Sequence, residues 1–367
     1  MLNGIKSKYI FEYFFDYIDK NRKYKLVKYN KKFQSQLNLS FDDYKKFSKI
    51  IIELNIKIFY GEYILFINYE QQYKPYYHVY FNDKNEEEKY PTNMYYKKLD
   101  MIKHFIRSKI TNKEKEIIKG YFYSKDKIKK IKIIIDNEVK TLKGLFKGCD
   151  CINEIKFIQF NRKNIVDMSE MFYGCSSLSK LDMTNFITDN VTNMSDMFVN
   201  CRRIKNLNVS SFHTSKVEDM SYMFSECAFL KKIDLSKFDT SQVVDMSRMF
   251  YECYELENLD LSNFDTSKVI DMSKMFAGCF ALKKLDVSNF NTKNVEDMSS
   301  MFDGCCLMEE LNLENFYTDK VTNMSYMFNG CQNLKNLNII HFNSTNINKM
   351  DGIFEGCSKL TELKSYK

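Results

Sequence analysis

Apolar positions in this chain repeat on two scales. Within residues 178–203, Leu178, Leu181 and Met183 follow a Leu-x-x-Leu-x-Leu spacing, in which one strand turns alternate side chains inward. Phe186 closes the corner after that strand, and Thr188 and Val191 lead into Asn193-Met194-Ser195. Met197, Phe198 and Cys201 then read as a short helical turn, with Asn193 as its N-cap. The whole pattern returns every 26 residues: Cys149, Cys175, Cys201, Cys227, Cys253, Cys279, Cys305, Cys331 and Cys357 keep that step without a slip. A phenylalanine stands three residues before each of those thiols, from Phe146 to Phe354, and methionines recur from Met168 to Met350. A strict period of this size predicts one supersecondary unit copied in tandem, each copy burying its apolar face against its neighbours. At about 4.8 Å between adjacent strands, nine coils make a rod roughly 40 Å long.

The first 120 residues lack the period and read as a mixed α+β module. Ile10, Phe14, Tyr17 and Ile18, then Leu26, Tyr29 and Phe33, fall at helical spacing. Asp42 as a cap, followed by Tyr44, Phe47, Ile50, Ile51 and Leu54, extends the helical reading over residues 5–55. Residues 56–93 turn to strand texture, as in Tyr77-His78-Val79-Tyr80-Phe81, and 94–119 read as helix again. Lys130 to Ile135 is a further strand. Val139 and Leu142 sit one period before Ile165 and Met168, so residues 121–148 are expected to start the array and cover its first edge. The solenoid proper is expected over 149–367.

Charge divides the chain the same way. Residues 1–148 hold 32 Lys+Arg against 18 Asp+Glu, whereas 149–367 hold 23 against 30. The basic surplus therefore belongs to the front part, where no nucleic-acid-binding motif accompanies it, and no nucleic-acid partner is expected. All eleven cysteines lie between 149 and 357, and nine are in register, which marks a structural column of small buried hydrophobes. Neither their spacing nor that of the four histidines suits a metal site, so no metal or cofactor is expected. Many unpaired thiols point to a reducing, cytoplasmic location. The opening residues make a poor signal peptide, and no stretch approaches eighteen consecutive apolar residues, so no membrane span is expected.

Candidate chemistry lies on the outward face of the repeated strand. Its columns run Lys180, Asn206, Lys232, Asn258, Lys284, Glu310 and Asp182, Asn208, Asp234, Asp260, Asp286, Asn312. Such rows form an extended polar platform of the kind repeat proteins use to hold other proteins. Arg202-Arg203, Phe229, Tyr251, Tyr254, Phe280 and Tyr326 depart from the polar filler. No phosphate-binding glycine loop, nucleophile elbow or His-Glu-x-x-His motif is present, and no enzyme activity is expected.

The copies at Met220–Asp245 and Met246–Asp271 read Met-Ser-x-Met-Phe-x-x-Cys-x-x-Leu-x-x-Leu-Asp-Leu-Ser-x-Phe-Asp-Thr-Ser-x-Val-x-Asp with few departures. This motif resembles the BspA-like class of leucine-rich repeat, the 26-residue bacterial surface-protein repeat, over residues 145–367. The resemblance implies a right-handed, leucine-rich-repeat-like α/β solenoid of about nine coils with one parallel β-sheet, used for protein contacts. A non-enzymatic scaffold binding another protein is the leading expectation. Two alternatives stand beside it: a surface or adhesion protein, and an intracellular adaptor whose front helices resemble an F-box-type module. End-on self-association is also open, since Lys359, Lys364 and Lys367 alone guard the last edge.

Overall fold

In the computed structural model, residues 49–56, 64–65, 77–81, 115–116, 121–122, 129–135 and 139–365 are described. The 26-residue step is the length of one coil of a β-solenoid of about eight turns. Each coil carries two stretches paired in parallel with the coils before and after. The first is the predicted strand: β7 (Ile152–Phe160) pairs with β8 (Lys180–Asp182), β9 (Asn206–Leu207) with β10 (Lys232–Ile233), and β11 (Lys284–Leu285), β12 (Glu310–Asn312), β13 (Asn336–Ile339) and β14 (Glu362–Ser365) pair each with the next. This face is hydrogen-bonded in three separate pieces, where the sequence suggested one sheet. The second stretch is unbroken: eight parallel bridges run from Thr141 through Asp167, Asn193, Asp219, Asp245, Asp271, Asp297 and Asn323 to Lys349.

The parallel-strand solenoid is as expected, but no residue among those described is helical, which corrects the short helical turn expected in each coil. Met168, Met171, Phe172 and Cys175 have helical spacing, but they are buried by two successive tight turns. Met171 N–H returns to Met168 O and Cys175 N–H to Phe172 O, and the third residues of these turns, Glu170 and Gly174, have φ of 57° and 73°. The intervening N–H groups point along the rod: Met168, Glu170, Phe172 and Gly174 donate to Asn193, Ser195, Met197 and Val199 of the next coil. A helix would spend those donors within the coil. The turns spend them between coils, so stacking satisfies the backbone.

The interior is a set of like-on-like columns. Phe172, Phe198, Phe224 and Phe250 stack with centroids 5.3, 5.7 and 5.6 Å apart and planes within 17° of parallel. Around them lie the buried methionines from Met168 to Met327 and the buried Leu207, Ile233, Leu259, Leu285, Leu311 and Leu337 of the strand.

The first edge is covered by a strand from the front part. β1 (Ile50–Ile56) lies between β7 and β6 (Lys130–Ile135), antiparallel to both, and β3 (Tyr77–Phe81) and β4 (Lys115–Glu116) extend the sheet beyond β6. A separate pair, β2 (Ile64–Leu65) and β5 (Tyr121–Phe122), is antiparallel too. The helix expected through Ile50, Ile51 and Leu54 is thus a strand, because Ile50, Ile52, Leu54 and Ile56 alternate inward between two partners. The end of the helix expected over 94–119 is likewise strand at Lys115–Glu116. Residues 121–148 supply β6, yet β1 is the strand that meets the first coil. The helices expected before residue 49 lie outside the described residues.

Candidate functional site

The outward strand columns sit where the sequence placed them. Lys180, Asn206, Lys232, Asn258, Lys284 and Glu310 are exposed, and register pairing sets Lys232 beside Asn206 and Asn258, and Lys284 beside Glu310. The second column is exposed at Asn208, Asp234, Asp260, Asp286 and Asn312 and half-buried at Asp182. Its side chains are already engaged. Asp234, Asp260 and Asp286 accept the N–H two residues ahead, from Ser236, Ser262 and Ser288, at 3.0, 3.0 and 2.9 Å. Asn208 and Asn312 do the same for Ser210 and Glu314, and Asp182 for Thr184. One carbonyl-type oxygen suffices for this turn, which explains why Asp and Asn alternate freely down the column. These bonds hold the carboxyls below their usual range: at Asp286 the Ser288 hydroxyl and N–H do so, at Asp182 the Thr184 hydroxyl first.

The column before it is free of that duty, and it carries the variation. Beside it, Lys231, Glu257, Lys283, Glu309 and Lys335 alternate in sign coil by coil, with Lys231–Glu257 and Glu309–Lys335 both at 3.4 Å. Lys284 meets Glu310 at 3.8 Å. Toward the last coils the face holds an open groove of about 560 Å³, walled by Lys284, Asp286, Glu310, Asn312, Asn336, Asn338, Glu362 and Lys364, with the inward-turned Leu285, Leu311 and Leu337 between them.

Inside the rod the thiols do more than fill space. Cys175, Cys201, Cys227, Cys253, Cys279, Cys305, Cys331 and Cys357 each donate Sγ–H to the carbonyl of a phenylalanine one coil earlier, at 3.1–3.3 Å. Burial pushes the Cys227 and Cys279 thiols up to about 12, and that of Cys253 well above its ordinary value. Thiols so placed stay protonated and are poor nucleophiles. Cys149 heads the column, whereas Cys357 at its far end is only half-buried and Cys151, off the column, is buried. A second buried column escaped the sequence reading. Thr188, Thr214, Thr240, Thr266, Thr292 and Thr318 are at most 1% exposed. Each clips the next coil twice: Thr266 Oγ1 donates to Asn291 O at 3.1 Å and accepts Asn291 N–H at 2.8 Å. The recurrent threonine three residues before each core valine was the available signal.

Among the described residues no group of His, Cys, Asp and Glu is placed to hold a metal ion, and no helix is long and apolar enough to cross a membrane. A family model described as "Mycoplasma protein of unknown function, DUF285" matches residues 140–253, 228–310 and 306–367. The chain belongs to the DUF285 family. Those matches span the paired coils from the first bridge at Thr141 onward, so the thiol, threonine and phenylalanine columns all lie in the DUF285 part. No curated protein matches the chain.

Proposed function

We propose that this DUF285 protein is a non-enzymatic scaffold that binds another protein through the exposed strand face of its solenoid. The reading rests on the groove between Lys284 and Lys364, where four parallel coils present variable, charged side chains in fixed register. Rigid presentation lowers the ordering cost of association, the chief advantage of a repeat surface. The specificity column is Lys232, Asn258, Lys284, Glu310, Asn336 and Glu362, since the neighbouring Asp/Asn column is occupied in turns. In this proposal the repeats are of the BspA-like leucine-rich class, and eleven free cysteines favour a reducing, intracellular location.

Affinity capture with the whole chain tests it, wild type against Lys284→Glu/Glu310→Lys/Glu362→Lys. The exposed substitutions leave the unfolding temperature unchanged and remove the proteins that the wild type retains. An identical retained set discards the groove as the contact surface.

A further inference from the structure

Three of the aromatic residues that interrupt the polar filler, Phe229, Tyr254 and Phe280, lie on one edge of the rod. Phe229, Tyr254 and Phe280 stand one or two residues after the column thiols Cys227, Cys253 and Cys279. Backbone bonds tie their coils at this edge, from Glu255 N–H to Ala228 O and from Ala281 N–H to Tyr254 O, both at 3.2 Å. Tyr254 and Phe280 stack at 4.9 Å, and Phe229 and Phe280 are each 44% exposed. The three large rings thus stand on adjacent coils in one ridge, the last two stacked.

Two further departures from the repeat coincide with it. Glu226 and Glu252 adopt φ of 57° at a turn position that six other coils give to glycine, among them Gly174, Gly278 and Gly304. A side chain there opposes the stability of its own coil. Glu252 nevertheless receives the Tyr254 hydroxyl and so fixes the ring in place. The two coils concerned, residues 220–271, hold ten Asp+Glu against five Lys+Arg over all faces of the rod, and at the ridge itself Glu226 pairs with Arg202 at 3.5 Å while Glu252 has no cation beside it in an ion pair among the described residues.

From this coincidence we infer that the Phe229–Tyr254–Phe280 ridge, rimmed by Glu226 and Glu252, docks an extended basic segment of a partner protein bearing apolar side chains between its lysines or arginines. Aromatic anchors supply contact area at low entropy cost, and the acidic field selects and steers a cationic partner. The inference rests on the scaffold reading but uses a different face from the groove.

Fluorescence anisotropy with the full chain tests it, using labelled peptides that alternate lysine with phenylalanine, lysine with serine, or glutamate with phenylalanine. The lysine–phenylalanine peptide binds at least tenfold more tightly than either other, and Phe229→Ser/Phe280→Ser weakens it about tenfold at unchanged unfolding temperature. Glu226→Gly/Glu252→Gly weakens it severalfold while raising the unfolding temperature, a combination that a purely structural role does not produce. Equal affinity for the three peptides, or indifference to both variants, overturns the inference. Loss of binding in the groove variant with the ridge variants silent moves the peptide to the groove, and the ridge falls while the scaffold reading stands.

Discussion

The thiol of Cys253 donates to the carbonyl oxygen of Phe224 at 3.1 Å, and the same oxygen accepts the backbone N–H of Cys227 at 3.2 Å. One oxygen therefore closes a turn in its own coil and holds the coil that follows. Repeated down the rod, this shared acceptor explains why the column is cysteine. Serine is more polar and alanine has no donor, while sulfur is small, apolar and still able to donate weakly.

Replacing that donor has a defined effect. Cys253→Ala leaves a small void and removes one bond to Phe224 O, and the expected loss is about 1–2 kcal/mol. The urea midpoint reports it. No change would mean that the thiol contributes neither a bond nor packing.

The threonine column should be more sensitive than the cysteine column. Thr266→Val keeps the shape but strips the two bonds to Asn291, at 3.1 and 2.8 Å, with an expected loss of about 2 kcal/mol. Thr266→Ser retains both bonds and most of the stability. Hydrogen exchange at the Asn291 amide distinguishes them, fast in the valine variant and slow in the serine variant.

The sequence made the coil and its columns legible because identical side chains must meet at every step. Two things were hidden by coincidence of spacing. Met168, Met171, Phe172 and Cys175 sit at i, i+3, i+4 and i+7, the pattern of a helix face, although the chain builds that face from left-handed turns. Glycine at 148, 174, 278, 304, 330 and 356, inside the supposed helical turn, was the contrary sign. Likewise Phe47, Ile50, Ile51 and Leu54 suit a helix, while Ile50, Ile52, Leu54 and Ile56 suit the strand that forms. Partners on both sides decided between them. The strand platform was visible in its positions but not in its division of labour, because only geometry shows that the Asp/Asn oxygens are already used. The groove is assembled from four coils and leaves no local trace.

The left-handed turns can be tested from both sides. Gly330 has φ of 70° and only ordinary contacts at the position of an added Cβ, so Gly330→Ala isolates the backbone penalty of about 1–2 kcal/mol. Lys274, at φ 55°, is the reverse case. Lys274→Gly is expected to gain about 0.5 kcal/mol, the relief of strain exceeding the added chain entropy. Denaturant midpoints moving in opposite directions confirm the turn geometry.

Asp286 carries a pH signature. Its bonds to Ser288 lower its pKa in the folded chain, so its ionised form stabilises the fold above the unfolded carboxylate value of about 3.9. That contribution is lost as pH falls through the lower folded value. Asp286→Asn keeps the turn, as Asn208 and Asn312 do, and matches the wild type at pH 7. Below about pH 4 the asparagine variant loses less stability than the wild type on further acidification. Unfolding temperatures measured from pH 7 to pH 2.5 show the divergence, and parallel curves would remove the carboxylate from the account.

Everything above requires a continuous solenoid with its sulfur column sealed inside. Counting cysteines labelled by maleimide in the native chain, resolved by peptide mass mapping, asks this directly. Nine of the eleven are buried, and Cys306 and Cys357 are partly open. Those two should react within minutes and the other nine only at the rate of unfolding. Rapid modification of Cys201, Cys227, Cys253 and Cys279 in the folded protein would contradict the architecture.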